Sequence, residues 1–222
     1  MILIEHTTVS GFEAAIRGMR NPKNSWSLSD TAWNSVSGLP IIGAGDKGLM
    51  QRLRQAGPEH RKYMRFITVS CDITAPMYWW SQLDTYKVGT VRNSCSKMHK
   101  LLHKSFEARD FSFDGIVEDY KGTAAAIVDT LNELRSACLK EKDPDRKRAL
   151  WDSVLKLLPD SYNQRATWLA NYEVLCAIHH QRKAHKLPEW HDFCRWISGL
   201  PAAEWLIVEP GEEEEGRGCR ER

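Results

Sequence analysis

The chain of 222 residues is 42% hydrophobic and 27% charged, which is typical of a soluble globular protein that is long enough to bury a core. Its formal net charge of +2 argues against a general nucleic-acid binder, and no apolar run approaches the roughly 18 residues of a transmembrane helix. The six scattered cysteines form no CxxC pair, so we expect reduced thiols in a cytoplasmic protein with neither a nucleic-acid nor a membrane partner.

The first part of the chain mixes predicted strands and helices. The start "MILIEH" predicts a short strand without a signal peptide, and "GFEAAIRGMR" predicts a helix of about ten residues. The following stretch, rich in Asn, Ser and Pro, predicts a long irregular excursion. Next, "DKGLMQRLRQAG" predicts a helix ended by Gly57, "YMRFITVSCDIT" predicts a strand, and "MYWWSQL" predicts a helix after Pro76.

The later part of the chain has the apolar period of helices. Between Phe113 and Lys140 an apolar face recurs at i, i+4, i+7 and i+11. Its members are Ile127, Leu131, Leu134 and Cys138. The charged run "KEKDPDRKR" predicts a solvated turn, and "RALWDSVLKLL" predicts a second helix that ends at Pro159. A long third helix is predicted from Tyr162 to Lys186, and a fourth from Pro188.

This order of elements, with strands early and helices late, predicts an α/β (α+β) fold. We expect one domain over residues 1–208, with a central sheet and a helical C-terminal half. The tail, residues 209–222, is charged and glycine-containing with almost no apolar side chain, so we expect it to be disordered.

Two short motifs are weighed against simpler interpretations. The stretch "GAGDKG", Gly43 to Gly48, matches G-x-G-x-x-G, but it lacks the preceding strand and the acidic residue about 20 positions later that a dinucleotide site needs. A glycine-rich loop before a helix is therefore expected. The positions Cys95, His99 and His103 would share one face of a helix and suit a metal. An exposed basic helix is the favoured interpretation, so we expect no metal.

A further face lies within the predicted third helix. It carries Asn171, Leu175, Ile178 and Arg182 at i, i+4, i+7 and i+11. An amide at one end and a guanidinium at the other could line a pocket for a planar, anionic ligand, because Arg offers a bidentate fork. A surface arginine beside an N-terminal asparagine is the alternative, and the spacing does not decide between them.

The stretch "WWSQLDTYKVGTVRNSCSKMHK", Trp79 to Lys100, is too polar for a core segment and too aromatic for a linker. Together with the residues before it, it resembles the signature region of the flavin-dependent thymidylate synthases. Glu59 and His60 match the family's Glu-His, Pro76 matches its proline and Gln82 its glutamine. The signature Arg-His-Arg-x-x-Ser-x-Asn-Glu-x-Ser-x-Arg-Tyr itself is eroded. It falls on Thr85, Tyr86, Lys87, Thr90, Arg92, Asn93, Cys95, Lys97 and Met98.

A second block also resembles the family. "LLPDSYNQRATWLANYEVLCAIHHQR" keeps the family's spacing from Leu158-Pro159 through Asn171 to Arg182. The family's arginine in Asn-x-Arg becomes Glu173, and a second pocket asparagine becomes Ala177. A glutamate there would put a negative charge near an anionic ligand, which favours a changed ligand, a changed protonation state or a site that no longer binds dUMP.

The resemblance implies an enzyme that transfers a one-carbon unit from methylenetetrahydrofolate to a pyrimidine deoxynucleotide such as dUMP, with FAD as cofactor, NADPH as reductant and a homotetrameric assembly. It implies catalytic roles for Cys95 and Arg182. It implies cofactor contacts from His60, Tyr86, Lys87 and Asn171. It implies substrate contacts from Gln82, Thr90, Asn93, Lys97 and Arg182. A degenerate, non-catalytic nucleotide-binding homologue is the alternative, and a metal enzyme built on Cys95 and the two histidines is a third possibility.

Overall fold

The structure, a computed structural model, describes residues 2–97 and 101–208. Its strands are β1 Leu3–Ser10, β2 Ala32–Trp33, β3 Pro40–Ile41, β4 Thr68–Pro76, β5 Val91–Ser94 and β6 Asn163–Asn171. Four of them form a sheet in the order β1-β4-β6-β5, and β2 pairs with β3 in a separate antiparallel hairpin. The predicted α/β (α+β) class is confirmed.

The helices account for most of the remaining chain. They are α1 Phe12–Arg20, α2 Ala44–Gln55, α3 Met77–Leu83, α4 Lys121–Lys140, α5 Pro144–Leu157, α6 Tyr172–Arg182, α7 Pro188–Ser198 and α8 Ala203–Leu206. Within the described residues, none of these helices combines the length and the apolar character that crossing a membrane requires.

The chain forms two compact units. The first comprises Met1–Ile4, Asp72–Thr85 and Arg92–Thr167, and the second comprises Glu5–Cys71, Tyr86–Val91 and Trp168–Arg222, insofar as these ranges are described. The single domain expected over residues 1–208 stays a prediction, and the tail at 209–222 lies outside the described residues.

In the first unit, α4 and α5 form an antiparallel hairpin around a small core. Leu131 and Cys138 on the predicted apolar face of α4 are buried, as is Val154 of α5. The connection is shorter than the charged run suggested, because α5 begins at Pro144. Asp143 caps this helix, and its Oδ1 accepts a hydrogen bond of 2.8 Å from the Arg146 amide. Most of "KEKDPDRKR" is therefore helical rather than a turn.

In the second unit, a buried ion pair ties the irregular excursion to the helices. Arg20 at the end of α1 and Asp46 in α2 are both buried, and Arg20 Nε lies 2.7 Å from Asp46 Oδ1. The other carboxylate oxygen of Asp46 accepts hydrogen bonds from the Ser29 and Thr31 hydroxyls, each 2.7 Å long. Burial by itself would raise the pKa of Asp46, but these hydrogen bonds and the Arg20 charge outweigh it and lower that pKa.

The glycine-rich motif at the start of α2 is occupied by the chain's own carboxylate. The amides of Gly45 and Asp46 donate to Asp30 at 2.8 and 2.9 Å. A Cβ on Gly43 would lie 2.2 Å from the Asp30 side chain, so this approach needs glycine. The helix N-terminus is thus capped from within. The motif is not the loop before a helix that the sequence predicted, because Gly43 is the N-cap and Gly45 and Gly48 lie within α2.

Two predictions of secondary structure are wrong. The long helix expected from Tyr162 to Lys186 is instead the strand β6 followed by the shorter helix α6, so the strands are not confined to the early part of the chain. The helix expected around Cys95 is also not formed at that residue, because Cys95 directly follows β5, while His103 lies in a turn. His99 lies outside the described residues.

Candidate functional site

The loop Tyr86–Thr90 lies against α6 in the second unit and brings two predicted site residues together. The Tyr86 hydroxyl accepts a hydrogen bond of 2.9 Å from Arg182 Nε and donates one of 2.8 Å to Gln181 Oε1. The Thr90 hydroxyl donates to the Tyr86 carbonyl at 2.5 Å and closes the loop on itself. The loop is therefore fastened to the C-terminal end of α6 through a side chain of the eroded signature.

The same loop reaches the N-terminal end of α6. Asn171 is the N-cap, and its Oδ1 accepts a hydrogen bond of 3.0 Å from the Val174 amide. Gly89 has a φ of +78°, and a Cβ there would lie 2.7 Å from Asn171 Nδ2 and 3.2 Å from Val174 Cγ2. Only glycine allows this approach without strain, so the Asn171 amide faces the loop rather than solvent alone.

The Arg182 guanidinium lies beside two aromatic rings that contact each other. Its Cζ is 4.7 Å from the Trp190 ring centroid and 5.6 Å from that of Tyr86, and the two rings meet edge to face at 6.4 Å. Burial and the neighbouring Arg182 and His191 lower the pKa of His185, which contacts Trp190. The C-terminal end of α6 therefore carries a half-buried cation beside a fully buried Trp190 and a half-buried Tyr86, and this guanidinium suits a ligand with anionic or carbonyl oxygens.

Asn171 and Arg182 do not form one continuous helical face, because Asn171 is the cap and the helix begins at Tyr172. The two residues between them on the predicted face, Leu175 and Ile178, are fully buried in the core. The prediction that all four residues line a pocket is therefore wrong for Leu175 and Ile178. The two polar residues, Asn171 and Arg182, instead contact opposite ends of the loop Tyr86–Thr90.

Glu173 is neutralised within the chain. Arg65 Nε donates to its Oε2, and Arg65 Nη2 lies 3.4 Å from its Oε1, which makes the pair bidentate. The hydrogen bond and the charge of Glu173 raise the pKa of Arg65. The sequence suggested an unpaired negative charge at Glu173, and the structure corrects this, because Glu173 forms an ion pair with Arg65. Glu173 therefore gives no reason to expect that an anionic ligand is repelled.

In the first unit, Arg92 has a structural role. Its guanidinium stacks on the Trp80 ring at 3.8 Å and donates to Asp84 Oδ2 at 2.5 Å and to Gln164 Oε1 at 2.6 Å. Burial lowers the pKa of Arg92, and Asp84 opposes this shift. Gln164 Nε2 in turn donates to the Cys95 carbonyl at 2.7 Å. Arg92, at a signature position, thereby fixes the backbone that carries Cys95.

The remaining predicted residues of this unit lie near that framework. Cys95 is exposed, and its amide donates to the Arg165 carbonyl at 2.9 Å. Asn93 is exposed on β5, Gln82 is half-buried on α3, and Lys97 is half-buried just after Cys95. Among the residues that the structure describes, no group of three or more His, Cys, Asp or Glu side chains is arranged to hold a metal ion.

Two predicted cofactor residues of the second unit lie at the surface. Lys87 is exposed, next to Tyr86. His60 is also exposed, and its Nε2 lies 3.7 Å from a carboxylate oxygen of Glu59. Sequence analysis missed the partners that organise the site. These are Arg65, Gln164, Gln181 and Trp190. Each is remote in sequence from a side chain that it contacts: Glu173, Arg92, and Tyr86 for the last two.

Comparison with known proteins gives one kind of match. No protein-family model and no curated protein matches the sequence. Many solved structures match the fold. They include flavin-dependent thymidylate synthase ThyX from Helicobacter pylori complexed with FAD and dUMP, and thymidylate synthase X (ThyX) from Helicobacter pylori with FAD and dUMP at 2.31 Å. The TM-scores are 0.65 and 0.67, with 20% identity, 93% of this chain covered, and 97% and 96% of the respective ThyX chains covered. The chain has a ThyX-like fold, as the sequence resemblance predicted.

Proposed function

We propose that the chain is a flavin-dependent thymidylate synthase-like enzyme of the cytoplasm, assembled as a homotetramer. It transfers a one-carbon unit from methylenetetrahydrofolate to a pyrimidine deoxynucleotide such as dUMP, with NADPH as the reductant. The observation that carries this proposal is the likeness over 93% of the chain to ThyX structures that are complexed with FAD and dUMP.

The nucleotide is assigned to the C-terminal end of α6. Arg182 presents its guanidinium there, beside the Trp190 and Tyr86 rings, and this fork of donors suits a base whose oxygens accept hydrogen bonds. Asn171, at the N-terminal end of the helix, is assigned to the cofactor. Further substrate contacts are assigned to Gln82, Thr90, Asn93 and Lys97, whose side chains offer donors to phosphate or sugar oxygens.

The residues assigned to FAD fit its phosphate groups through the positive charge of a lysine and not through the bidentate fork of an arginine. Lys87 and His60 are exposed and can reach a phosphate group, although Lys87 acts as a point charge where the family has arginine. Tyr86 offers a ring edge, and Asn171 an amide. When bound, FAD would supply the electrons that turn the transferred carbon into a methyl group.

Cys95 is assigned the position nearest to the carbon that reacts. Its backbone is held by Arg165 and Gln164, while its side chain belongs to an exposed residue. A thiol at this place either fills the position of the family's serine or attacks the pyrimidine ring as a nucleophile. The variant Cys95→Ser separates these roles, because it supports turnover only in the first case.

A non-catalytic nucleotide-binding homologue is the second candidate function. The specific observation that favours it is that Arg92 and Glu173, at positions where the family has Asn and Arg, are both satisfied by side chains of this chain. Such a protein would bind the nucleotide at Arg182 and transfer nothing.

Visible absorbance after incubation with FAD and gel filtration tests the flavin. The wild-type protein is expected to stay yellow, and Lys87→Ala is expected to lose at least half of its bound FAD because the phosphate loses its cation. Lys62→Ala removes another exposed lysine and should retain FAD. A colourless wild-type protein that FAD does not convert would contradict the flavin assignment.

Mass spectrometry of the nucleotide after incubation with dUMP or dCMP, methylenetetrahydrofolate, FAD and NADPH distinguishes the two candidates. A product heavier by one CH2 unit, which is the exchange of a ring hydrogen for a methyl group, supports the enzyme. Binding of FAD and nucleotide without any such product supports the non-catalytic homologue.

A further inference from the structure

The guanidinium assigned to the nucleotide already has a ligand within the chain. Arg182 Nε donates a hydrogen bond of 2.9 Å to the Tyr86 hydroxyl, and that hydroxyl donates one of 2.8 Å to Gln181 Oε1. The Tyr86 ring also lies 5.6 Å from Arg182 Cζ and packs against the edge of Trp190. One phenol thus supplies both an oxygen acceptor and an aromatic surface to the cation.

These two features are the ones that a pyrimidine nucleotide offers. A base or phosphate oxygen accepts hydrogen bonds as the phenol oxygen does, and a pyrimidine ring is flat like the phenol ring. The nucleotide has the advantage of charge, because a charge-assisted hydrogen bond to an anionic oxygen is stronger than one to a neutral hydroxyl. The phenol is therefore a weaker occupant of the same guanidinium.

We propose that Tyr86 is an internal, displaceable ligand of Arg182 that competes with a pyrimidine deoxynucleotide for Nε, so that Tyr86 lowers the affinity of the site. This inference rests on the proposed function and deepens it. The loop Tyr86–Thr90 acts as a latch on α6. Its Tyr86 end is held by hydrogen bonds that can exchange, while its Gly89 end is held by close packing against Asn171 and Val174.

Breaking the hydrogen bonds of the Tyr86 hydroxyl leaves α6 folded, because the helix does not depend on the loop. The helix has its own cap at Asn171, and its buried residues Leu175 and Ile178 anchor it to the core independently of the loop. The Thr90 hydroxyl bonds only the backbone of Tyr86 in this loop, so that bond persists when the phenol side chain turns away. Displacement of the phenol therefore requires a side-chain movement and no unfolding.

Calorimetric titration of wild type and Tyr86→Phe with dUMP tests the latch. Phe keeps the ring and removes the acceptor oxygen, so the dissociation constant for dUMP is expected to fall about 2- to 12-fold, the range for one net hydrogen bond. Tyr120→Phe is the matched control, because Tyr120 is 63% exposed on the other unit, and it should leave the dissociation constant unchanged.

A double-mutant cycle with Arg182→Ala makes the test specific. The gain from Tyr86→Phe should vanish in the Arg182→Ala background, because no guanidinium is left for the phenol to occupy. A gain that persists there would overturn the proposal, and so would an unchanged or weaker affinity of Tyr86→Phe in the wild-type background.

Deoxyuridine, which lacks the phosphate, identifies the oxygen that replaces the phenol. If Arg182 donates to a base oxygen, Tyr86→Phe should improve deoxyuridine binding by the same factor as dUMP binding. An improvement for dUMP alone would show that Arg182 donates to the phosphate. Both results support the latch. If neither protein binds dUMP, dCMP or deoxyuridine, the proposed function fails together with the latch. Binding by the wild type without a gain in Tyr86→Phe refutes the latch alone.

Discussion

Two charged side chains at positions that depart from the family, Arg92 and Glu173, are paired inside the chain, and this pairing changes what each substitution means. Arg92 stands where the family has asparagine, and it holds Asp84 and Gln164 while stacking on Trp80. Glu173 stands where the family has arginine, and Arg65 neutralises it. Neither substitution therefore leaves an unpaired charge beside the assigned ligand, so the loss of family identity does not by itself predict the loss of binding.

The thiol of Cys95 is expected to react faster than any other cysteine of the described chain. Cys71, Cys138, Cys176 and Cys194 are buried, whereas Cys95 is exposed, and burial raises the pKa of Cys194 to about 11. Labelling with iodoacetamide, read by peptide mass spectrometry, should therefore modify Cys95 first. The proposed assignment of Cys95 to the nucleotide predicts that dUMP or dCMP slows that labelling.

The buried cysteines are the internal control of this labelling experiment. If Cys95 were modified no faster than Cys138 or Cys176, the thiol would be inert and its assignment to the site wrong. If Cys95 were modified fast and no nucleotide slowed the reaction, the assignment of the nucleotide to this position would be wrong, although the thiol would be exposed as the structure shows.

The polar ends of the site could be predicted from sequence, whereas their partners could not. Asn171 and Arg182 stood out because amide and guanidinium side chains flank an apolar period. Tyr86 and Arg182 are 96 positions apart and Arg65 and Glu173 are 108 apart, so no local pattern links them. Only the folded chain brings each pair within hydrogen-bond distance.

At the scale of elements, strand β6 shows why a helix was expected in the wrong place. Its buried positions alternate, Gln164, Ala166, Trp168 and Ala170 pointing inward. Gln and Ala are not typical strand residues, so the alternation of buried and exposed positions in β6 is not visible as an apolar pattern. The predicted helix therefore includes β6 as well as α6, although only α6 is helical. The helices α1, α2, α3, α4 and α7, by contrast, follow their apolar period or their proline and glycine boundaries, and the sequence predicts them.

The ion pair between α1 and α2 is expected to dominate the stability of the irregular excursion. Replacing Asp46 by Asn leaves Arg20 buried without a counter-charge, which costs about 3–5 kcal/mol for a buried pair. Urea unfolding at pH 7 should show this loss in Asp46→Asn. Asp119→Asn, at an exposed aspartate, should unfold within about 0.5 kcal/mol of the wild type.

The pH dependence of this loss has a definite sign. The folded pKa of Asp46 is lowered below its ordinary value of 3.8, so its charge stabilises the fold above that value, and this contribution disappears as the pH falls through the folded pKa. The stability difference between wild type and Asp46→Asn should therefore be constant from pH 7 to about pH 5 and shrink below about pH 4. A difference that grows on acidification would contradict the ion pair.

At the scale of the whole molecule, a ThyX-like fold is kept with only 20% identity to the ThyX structures. Side chains that are buried as large apolar groups, such as Trp79, Trp80 and Trp168, specify such a fold by volume and pattern rather than by identity. Two sequence blocks in the right order were therefore enough to predict the fold. The contacts of the site residues could be described only from the structure, because they join residues that are far apart in the sequence.

A homotetramer is expected in solution. The segment from Trp26 to Ile41 exposes several large apolar side chains, with Trp26 at 51%, Trp33 at 43% and Val36 at 95%, and exposed apolar clusters of this kind mark interaction surfaces. Light scattering at micromolar concentration should give about four times the chain mass of 25.5 kDa. Trp33→Ser should shift the distribution to smaller species, and a monomeric mass for the wild type would contradict the assembly.

The central claim, that Arg182 at the end of α6 holds a pyrimidine deoxynucleotide, is tested most directly by calorimetry of Arg182→Ala with dUMP. A hydrogen bond to a charged group contributes about 1.5–3 kcal/mol, so the dissociation constant should rise about 10- to 100-fold while circular dichroism shows a folded protein. Arg195→Ala, whose guanidinium is exposed and pairs only locally with Asp192, should bind like the wild type. An unchanged affinity for dUMP in a folded Arg182→Ala protein would contradict the claim.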